Sequence, residues 1–239
     1  MTNFSSVVNG VRTRAVSYNE GLRRYTLGVY NYMSVALALS GVVAFLTAKS
    51  GLVYLLVGSP LGWIVAFSPL IVSIVMSFKL NTAKISTVKM LYFLYAVLMG
   101  MSMSTLFLMF TGMDITKTFL ITSCMFLGMA IYGYTTKKDL SSMGSFLIMA
   151  VFGLLIASMV NIFAHSNGLS FAISLISIVV FTALVAYDTQ NLRKLYYATC
   201  QDKDMAVKYG IFGALQLYID FIALFIHLLQ LLGTAQRRD

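Results

Sequence analysis

Charge is what this sequence has little of. Only 10% of its 239 residues are charged and 59% are hydrophobic, against roughly 25% charged in an average soluble domain. That balance excludes an ordinary water-soluble globule. Cysteine is scarce too: Cys124 falls in an apolar run and Cys200 in a polar segment, so neither a disulfide framework nor redox chemistry is implied. No Cys and His metal motif, glycine-rich phosphate loop or Gly-x-Ser-x-Gly elbow occurs, which leaves the common metal, nucleotide and serine-hydrolase signatures unfilled. The first 24 residues are polar and basic, without the apolar core of a cleaved signal peptide.

What is present is a series of long uncharged runs. A hydrocarbon layer about 30 Å thick needs roughly 20 apolar helical residues to cross it. No charge interrupts Arg24 to Lys49, Lys49 to Lys79, Lys89 to Asp114 or Lys117 to Lys137, and each gap fits one crossing. The stretch from Asp139 to Asp188 holds 48 uncharged residues and breaks at His165-Ser-Asn-Gly168, a turn signal that divides it into two crossings. Lys208 to Arg237 is broken only by Asp220. The pattern predicts an all-α membrane protein, a seven-transmembrane-helix bundle, with spans at about 26–48, 54–78, 88–110, 115–135, 144–164, 168–190 and 210–233. Alternating ten-residue barrel strands would not give runs so uniformly apolar. The expected organisation is a tail at 1–25, a helical domain at 26–235 and a short tail at 236–239. Pro60 and Pro69 both fall in the second span, where a missing hydrogen bond favours a kink or an irregular start. The small residues of Gly100-Met-Ser-Met-Ser-Thr105 suit close helix packing in lipid, and residues 191–209 read as a connecting segment lying at the membrane surface.

A formal charge of +9 could point to nucleic acid, but its distribution points to a bilayer. With the amino terminus inside, the cytoplasmic segments hold Arg12, Arg14, Arg23, Arg24, Lys79, Lys84, Lys89, Lys137, Lys138, Arg193, Lys194, Lys203 and Lys208, 13 of the 17 basic residues. Lys49, Lys117, Arg237 and Arg238 remain for the other side. This is the positive-inside bias. It puts Asp239 outside if the last helix crosses completely, and inside if that helix is re-entrant.

Of eight acidic residues, two sit within spans. Asp220 lies about ten residues into the seventh, where a carboxylate costs about 2.5 to 3.5 kcal/mol on insertion scales and should face the bundle interior with a partner. Gly213, Gln216, Asp220, His227 and Gln230 share one helical face, and Ser170, Ser174, Ser177 and Asp188 share one face of the sixth. The natural partner for Asp220 is Asp188. Two carboxyls in hydrogen-bond reach in a low dielectric hold one proton between them, so the pair is a candidate pH sensor. Losing that proton leaves two negative charges that repel or recruit a cation. Calcium takes six to eight hard oxygens, so two aspartates would make only a weak, transient site. The plainer alternative keeps Asp188 as an interfacial acid and Asp220 as a hydrogen-bonded structural residue.

Three segments, Thr136-Lys-Lys-Asp-Leu-Ser141, Ala186-Tyr-Asp-Thr-Gln-Asn-Leu192 and Leu215-Gln-Leu-Tyr-Ile-Asp-Phe-Ile-Ala-Leu-Phe-Ile-His-Leu-Leu229, together resemble the Bax inhibitor 1 family in its bacterial branch. The resemblance implies a seven-helix fold with helix seven central, in a bacterial inner membrane, and a pH-sensitive calcium leak governed by an aspartate pair, here Asp188 and Asp220. It also implies a basic latch residue in helix two, for which Lys79 is the nearest candidate, although a lysine is not a bidentate arginine. The implied partners are membrane lipid and calcium as the permeating ion, with no cofactor and no nucleic acid. Some bacterial relatives are linked instead to modulation of a membrane protease, so a non-transporting regulator that binds a protease or cell-death factor is the alternative. An intramembrane aspartyl protease is disfavoured. Tyr187-Asp188 fits its first motif, but residues 217–220 read Leu-Tyr-Ile-Asp in place of Gly-x-Gly-Asp, and no Pro-Ala-Leu occurs.

Overall fold

The computed structural model describes the backbone of residues 4–236 and the side chains of residues 20–233. Arg12 and Arg14 on one side, and Arg237, Arg238 and Asp239 on the other, lie outside the described side chains. The described backbone holds nine helices and no strand: α1 Phe4–Lys49, α2 Leu52–Leu56, α3 Pro60–Lys79, α4 Ile85–Met103, α5 Leu106–Met109, α6 Gly112–Thr135, α7 Ser141–Ala164, α8 Asn167–Thr199 and α9 Lys203–Gln236. Seven stretches within them are long and apolar enough to cross a membrane, beginning at Glu20, Pro60, Ile85, Gly112, Ser141, Asn167 and Lys203. The chain is a seven-span helical membrane protein.

Local chemistry sets the breaks. The second predicted span is split: Gly51 and Gly58 take positive φ of 76° and 84° on either side of α2, and Pro60 stands at the first position of α3, where its missing N–H costs nothing. Of the two proline outcomes the irregular start occurs at Pro60, while α3 runs unbroken through Pro69. At the start of α6, Asp114 N–H donates to Thr111 Oγ1 and Thr111 N–H donates to Asp114 Oδ2, both at 3.2 Å, a reciprocal cap. The predicted turn at His165 is real. His165 adopts φ 46° and caps α7, and Ser166 Oγ accepts from Leu169 N–H at 3.3 Å to open α8.

Residues 191–209 are not a surface connector. α8 continues to Thr199 and α9 begins at Lys203, so the two longest inner helices are joined by only Cys200, Gln201 and Asp202. Likewise α1 begins at Phe4, well before the predicted residue 26. In each case the polar residues mark where hydrocarbon ends, not where the helix ends. α9 is one unbroken helix, which removes the re-entrant alternative and puts its two ends at opposite ends of the bundle.

α9 packs against α1, α4, α6 and α8, and its apolar window is 67% buried, against 6% for α7 and 11% for α3. The main core gathers around its Ile211, Leu215, Tyr218, Phe221 and Phe225, joined by Val29, Met33 and Ala36 of α1, Tyr92 and Tyr95 of α4 and Phe126 of α6. Helices in lipid gain little from hydrophobicity and depend on close fit. The fit is visible at glycines: a Cβ on Gly100 would lie 2.6 Å from the Ser40 carbonyl of α1, and one on Gly133 would strike the Ala186 backbone of α8.

Candidate functional site

The antiparallel pairing of α8 and α9 follows from their short link, and it sets the register that decides which polar groups meet. Asp188 and Asp220 face each other across this interface, with their carboxyls within hydrogen-bond reach of one another. Both are buried, at 9% and 4% exposure. Carboxylates only accept, so a direct bond between two of them requires one to carry the proton. Asp220 Oδ2 has no protein donor. Nothing cationic reaches the pair: among the described residues the single ion pair joins Lys194 to Asp139. Lys79, the candidate latch, is exposed at the end of α3 and makes no ion pair with either aspartate.

The site is braced from three sides. Tyr30 OH on α1 and Thr189 Oγ1, the residue after Asp188, share a hydrogen bond of 3.3 Å. Gln190 is buried; its Oε1 accepts from Leu140 N–H and its Nε2 donates to the Lys138 carbonyl, both at 2.8 Å. This ties the α6–α7 loop to α8 two residues beyond Asp188. Two residues before Asp220, Tyr218 OH lies 2.6 Å from Ser40 Oγ, which in turn lies 2.8 Å from the Ala36 carbonyl and 2.9 Å from the Ala96 carbonyl. Ser40 has one proton for these two carbonyls, so Tyr218 O–H donates to Ser40 Oγ, and α1, α4 and α9 meet at this one hydroxyl. Gln190 and Tyr218 lie inside the motifs that carried the family resemblance, yet their own roles were not legible there, because each partner comes from a distant helix.

Ser170, Ser174, Ser177, His227 and Gln230 of the predicted stripe lie towards the other end of the same interface. Ser174 Oγ donates to Gln230 Oε1 at 3.2 Å, one turn along α9 from His227. Phe181 stacks on the His227 ring at 6.2 Å and 20°. Ser174, His227 and Gln230 line a cavity of about 400 Å³ that Asn161 and Ser170 help to form. Ser177 Oγ and His227 Nδ1 are buried without a protein partner. Gln216 is half-buried, one turn from Asp220. Between the cavity and the acid pair sits an apolar cluster of Ile178, Leu224 and Leu228, with Phe181 and Met125 packed against it. The stripe is thus two polar regions separated by hydrocarbon. Among the described residues, no three His, Cys, Asp or Glu side chains are grouped to hold a metal ion.

A buried carboxyl pair between two antiparallel spans of a helical bundle defines a class of multi-pass membrane proteins with an ionisable interior. Residues 22–238 match the model of the family described as inhibitor of apoptosis-promoting Bax1. The chain is 46% identical over 224 residues to the protein RP147 of Rickettsia prowazekii, covering 93% of this chain and 94% of that one. It is 40% identical over 228 residues to a Caulobacter vibrioides protein, covering 91% of each. It is 39% identical over 218 residues to the inner membrane protein YbhL of Escherichia coli, covering 89% of this chain and 92% of the relative. The chain belongs to the Bax inhibitor 1 family.

Proposed function

We propose that this protein is a pH-sensitive leak for cations, with calcium as the permeating ion, gated by the proton that Asp188 and Asp220 share. It resides in a bacterial inner membrane with its amino terminus in the cytoplasm, as the positive-inside bias and the name of the Escherichia coli relative suggest. It performs no catalysis and needs no cofactor. The observation that carries this reading is the juxtaposition itself: two acids from neighbouring spans, both buried and within hydrogen-bond reach of each other, neither in an ion pair among the described residues.

The mechanism follows from electrostatics. While one proton is held, the pair is a neutral-plus-anion bridge that fastens α8 to α9. When it leaves, two charges at hydrogen-bond distance in a weakly polar interior repel strongly. Separation of the helices, or entry of a cation between the carboxylates, relieves that repulsion. Two carboxylates offer calcium at most four of its six to eight oxygens, so the ion is held briefly and passes on. The apolar cluster of Ile178, Leu224 and Leu228 is the barrier that helix separation opens, and Ser177, His227 and Gln230 offer polar atoms on its far side. Deprotonation therefore opens and acid closes.

Calcium flux into dye-loaded proteoliposomes at pH 6 and pH 8 tests this. Wild type should leak faster at pH 8, and Asp188→Asn and Asp220→Asn should each lose the dependence on pH. Identical rates and pH profiles in all three proteins would end the gating proposal. A second reading, a non-transporting regulator that binds another membrane protein such as a protease or cell-death factor, draws on the description of the family model. It predicts no flux at either pH.

A further inference from the structure

The motif Thr136-Lys-Lys-Asp-Leu-Ser141 has no part in the gate, yet the fold builds it into a concave pocket of about 580 Å³ against the end of α8. Lys137, Lys138, Arg193 and Lys194 line it, with Gln190 and Tyr197. Asp139 is the one carboxylate there, and it is occupied: Lys194 Nζ pairs with its Oδ1 at 2.8 Å, and Ser141 Oγ donates to the same oxygen at 2.7 Å. Among the described residues no carboxylate pairs with Lys137, Lys138 or Arg193. Arg193 Nη1 donates to the Tyr134 carbonyl at 3.0 Å, and its guanidinium lies 5.7 Å from the Tyr134 ring. That anchors the group while leaving most of its five donors available. The loop is held in shape from beneath by the two hydrogen bonds of buried Gln190. Four cations around one already paired carboxylate, on a braced backbone, form a site for a doubly bonded anionic oxygen group such as a phosphate.

We infer that this pocket binds the phosphate headgroup of an anionic membrane lipid. Its position at the mouth of the bundle selects a lipid over a free anion. The first turns below it on α6 and α7 present Ile131, Met143 and Phe146, exposed by 64%, 44% and 68%, a surface along which acyl chains can lie while the headgroup sits among the lysines. Tyr134 and Tyr197 are exposed beside it, as aromatic side chains at the headgroup level are. Basic pockets between spans are general headgroup sites, and each nearby cation contributes about fivefold in affinity. The inference stands apart from the proposed leak, since it requires neither flux nor an orientation.

Native mass spectrometry of the full chain, released from nanodiscs of equal phosphatidylcholine and phosphatidylglycerol, tests it. Wild type should retain phosphatidylglycerol selectively. The double variant Lys137→Gln/Lys138→Gln should lose that selectivity about 25-fold at fivefold per charge, and Arg193→Gln should weaken it independently. Lys84→Gln/Lys203→Gln, at the same end but outside the pocket, should retain wild-type binding and so control for a general loss of charge. Equal phosphatidylglycerol retention in wild type and the pocket variants would overturn the assignment. So would displacement of the lipid by millimolar inorganic phosphate, which would make the site one for a free anion.

Discussion

α9 and α7 are both long and apolar enough to cross a membrane, with mean hydropathy of 1.8 and 2.5, yet they live in different surroundings. Two-thirds of the α9 window is buried, whereas 6% of the α7 window is. α7 packs chiefly on α8 and turns Phe146, Met149, Phe152 and Phe163 outward, the last 84% exposed. α9 turns Tyr218, Asp220 and Leu224 inward, none more than 4% exposed. Lipid and protein interior are both apolar, so hydrophobicity alone does not tell them apart. Close approach does: Gly100, Gly133 and Ser40 sit where one helix meets the backbone of another, whereas the outward face of α7 carries large apolar side chains.

That contrast is broken most severely at glycine. Gly133→Val puts a branched side chain into the Ala186 backbone, which cannot retreat as a side-chain tip can, so α6 must separate from α8. Overpacking costs typically about 1–3 kcal/mol and more where backbone must move. The expected result is little or no folded protein by size exclusion in mild detergent. Gly153→Val on α7 meets nothing within 4 Å and should elute as wild type. Equal tolerance at both positions would mean that the α6–α8 contact does not organise the bundle.

The hydroxyl network that joins α1, α4 and α9 comes next. Tyr218→Phe keeps the ring packed on Tyr95, 5.5 Å away and edge-on, while removing the donor to Ser40. Inter-helix hydrogen bonds in membranes average about 0.6 kcal/mol and reach about 1.7. A loss of about 1 kcal/mol in thermal or denaturant unfolding is expected for Tyr218→Phe, and a similar loss for Ser40→Ala. If the double variant loses no more than either single one, the two groups act as one bond. At the opposite extreme, Phe163→Leu on α7 exchanges one lipid-facing hydrocarbon for another and should leave stability unchanged within error.

The same contrast explains what the sequence could disclose. Seven spans were legible because charge placement records the edges of the hydrocarbon layer. The facing of Asp188 and Asp220 was legible because a helix has a fixed period and a buried acid needs company. Helix ends were not: Lys203 and Asp204 are as helical as Leu215, since polarity ends a span without ending hydrogen bonding along the backbone. Nor could the continuous polar stripe be judged from spacing. Ser177 and His227 share their faces with the acids, but Ile178, Leu224 and Leu228 intrude between them because neighbouring faces of one helix differ by a single residue. Gln190 and Tyr218 were beyond reach for a different reason, since nothing in a single sequence pairs Gln190 with Leu140, 50 positions away, or Tyr218 with Ser40, 178 positions away.

The smallest expected effect sharpens the comparison between a buried acid and an exposed one. Asp139 lies in the α6–α7 loop outside the spans, 72% exposed in its side chain. Hydrogen bonds from Lys194 and Ser141 hold its carboxyl well below the usual 3.8. A lowered folded value means that the carboxylate form is favoured by folding. Its contribution is therefore fully present above the unfolded value near 3.8 and disappears only as pH falls through the still lower folded value. An exposed pair is also screened by salt and contributes little. Between pH 6 and pH 8 the Lys194–Asp139 clamp is consequently constant. Asp139→Asn should leave the pH midpoint of calcium flux where it is in wild type, with at most a small change in rate through the loosened loop. A midpoint that moved with Asp139→Asn would transfer the pH sensitivity from the buried pair to the loop. The proton shared by α8 and α9 would then no longer be the gate.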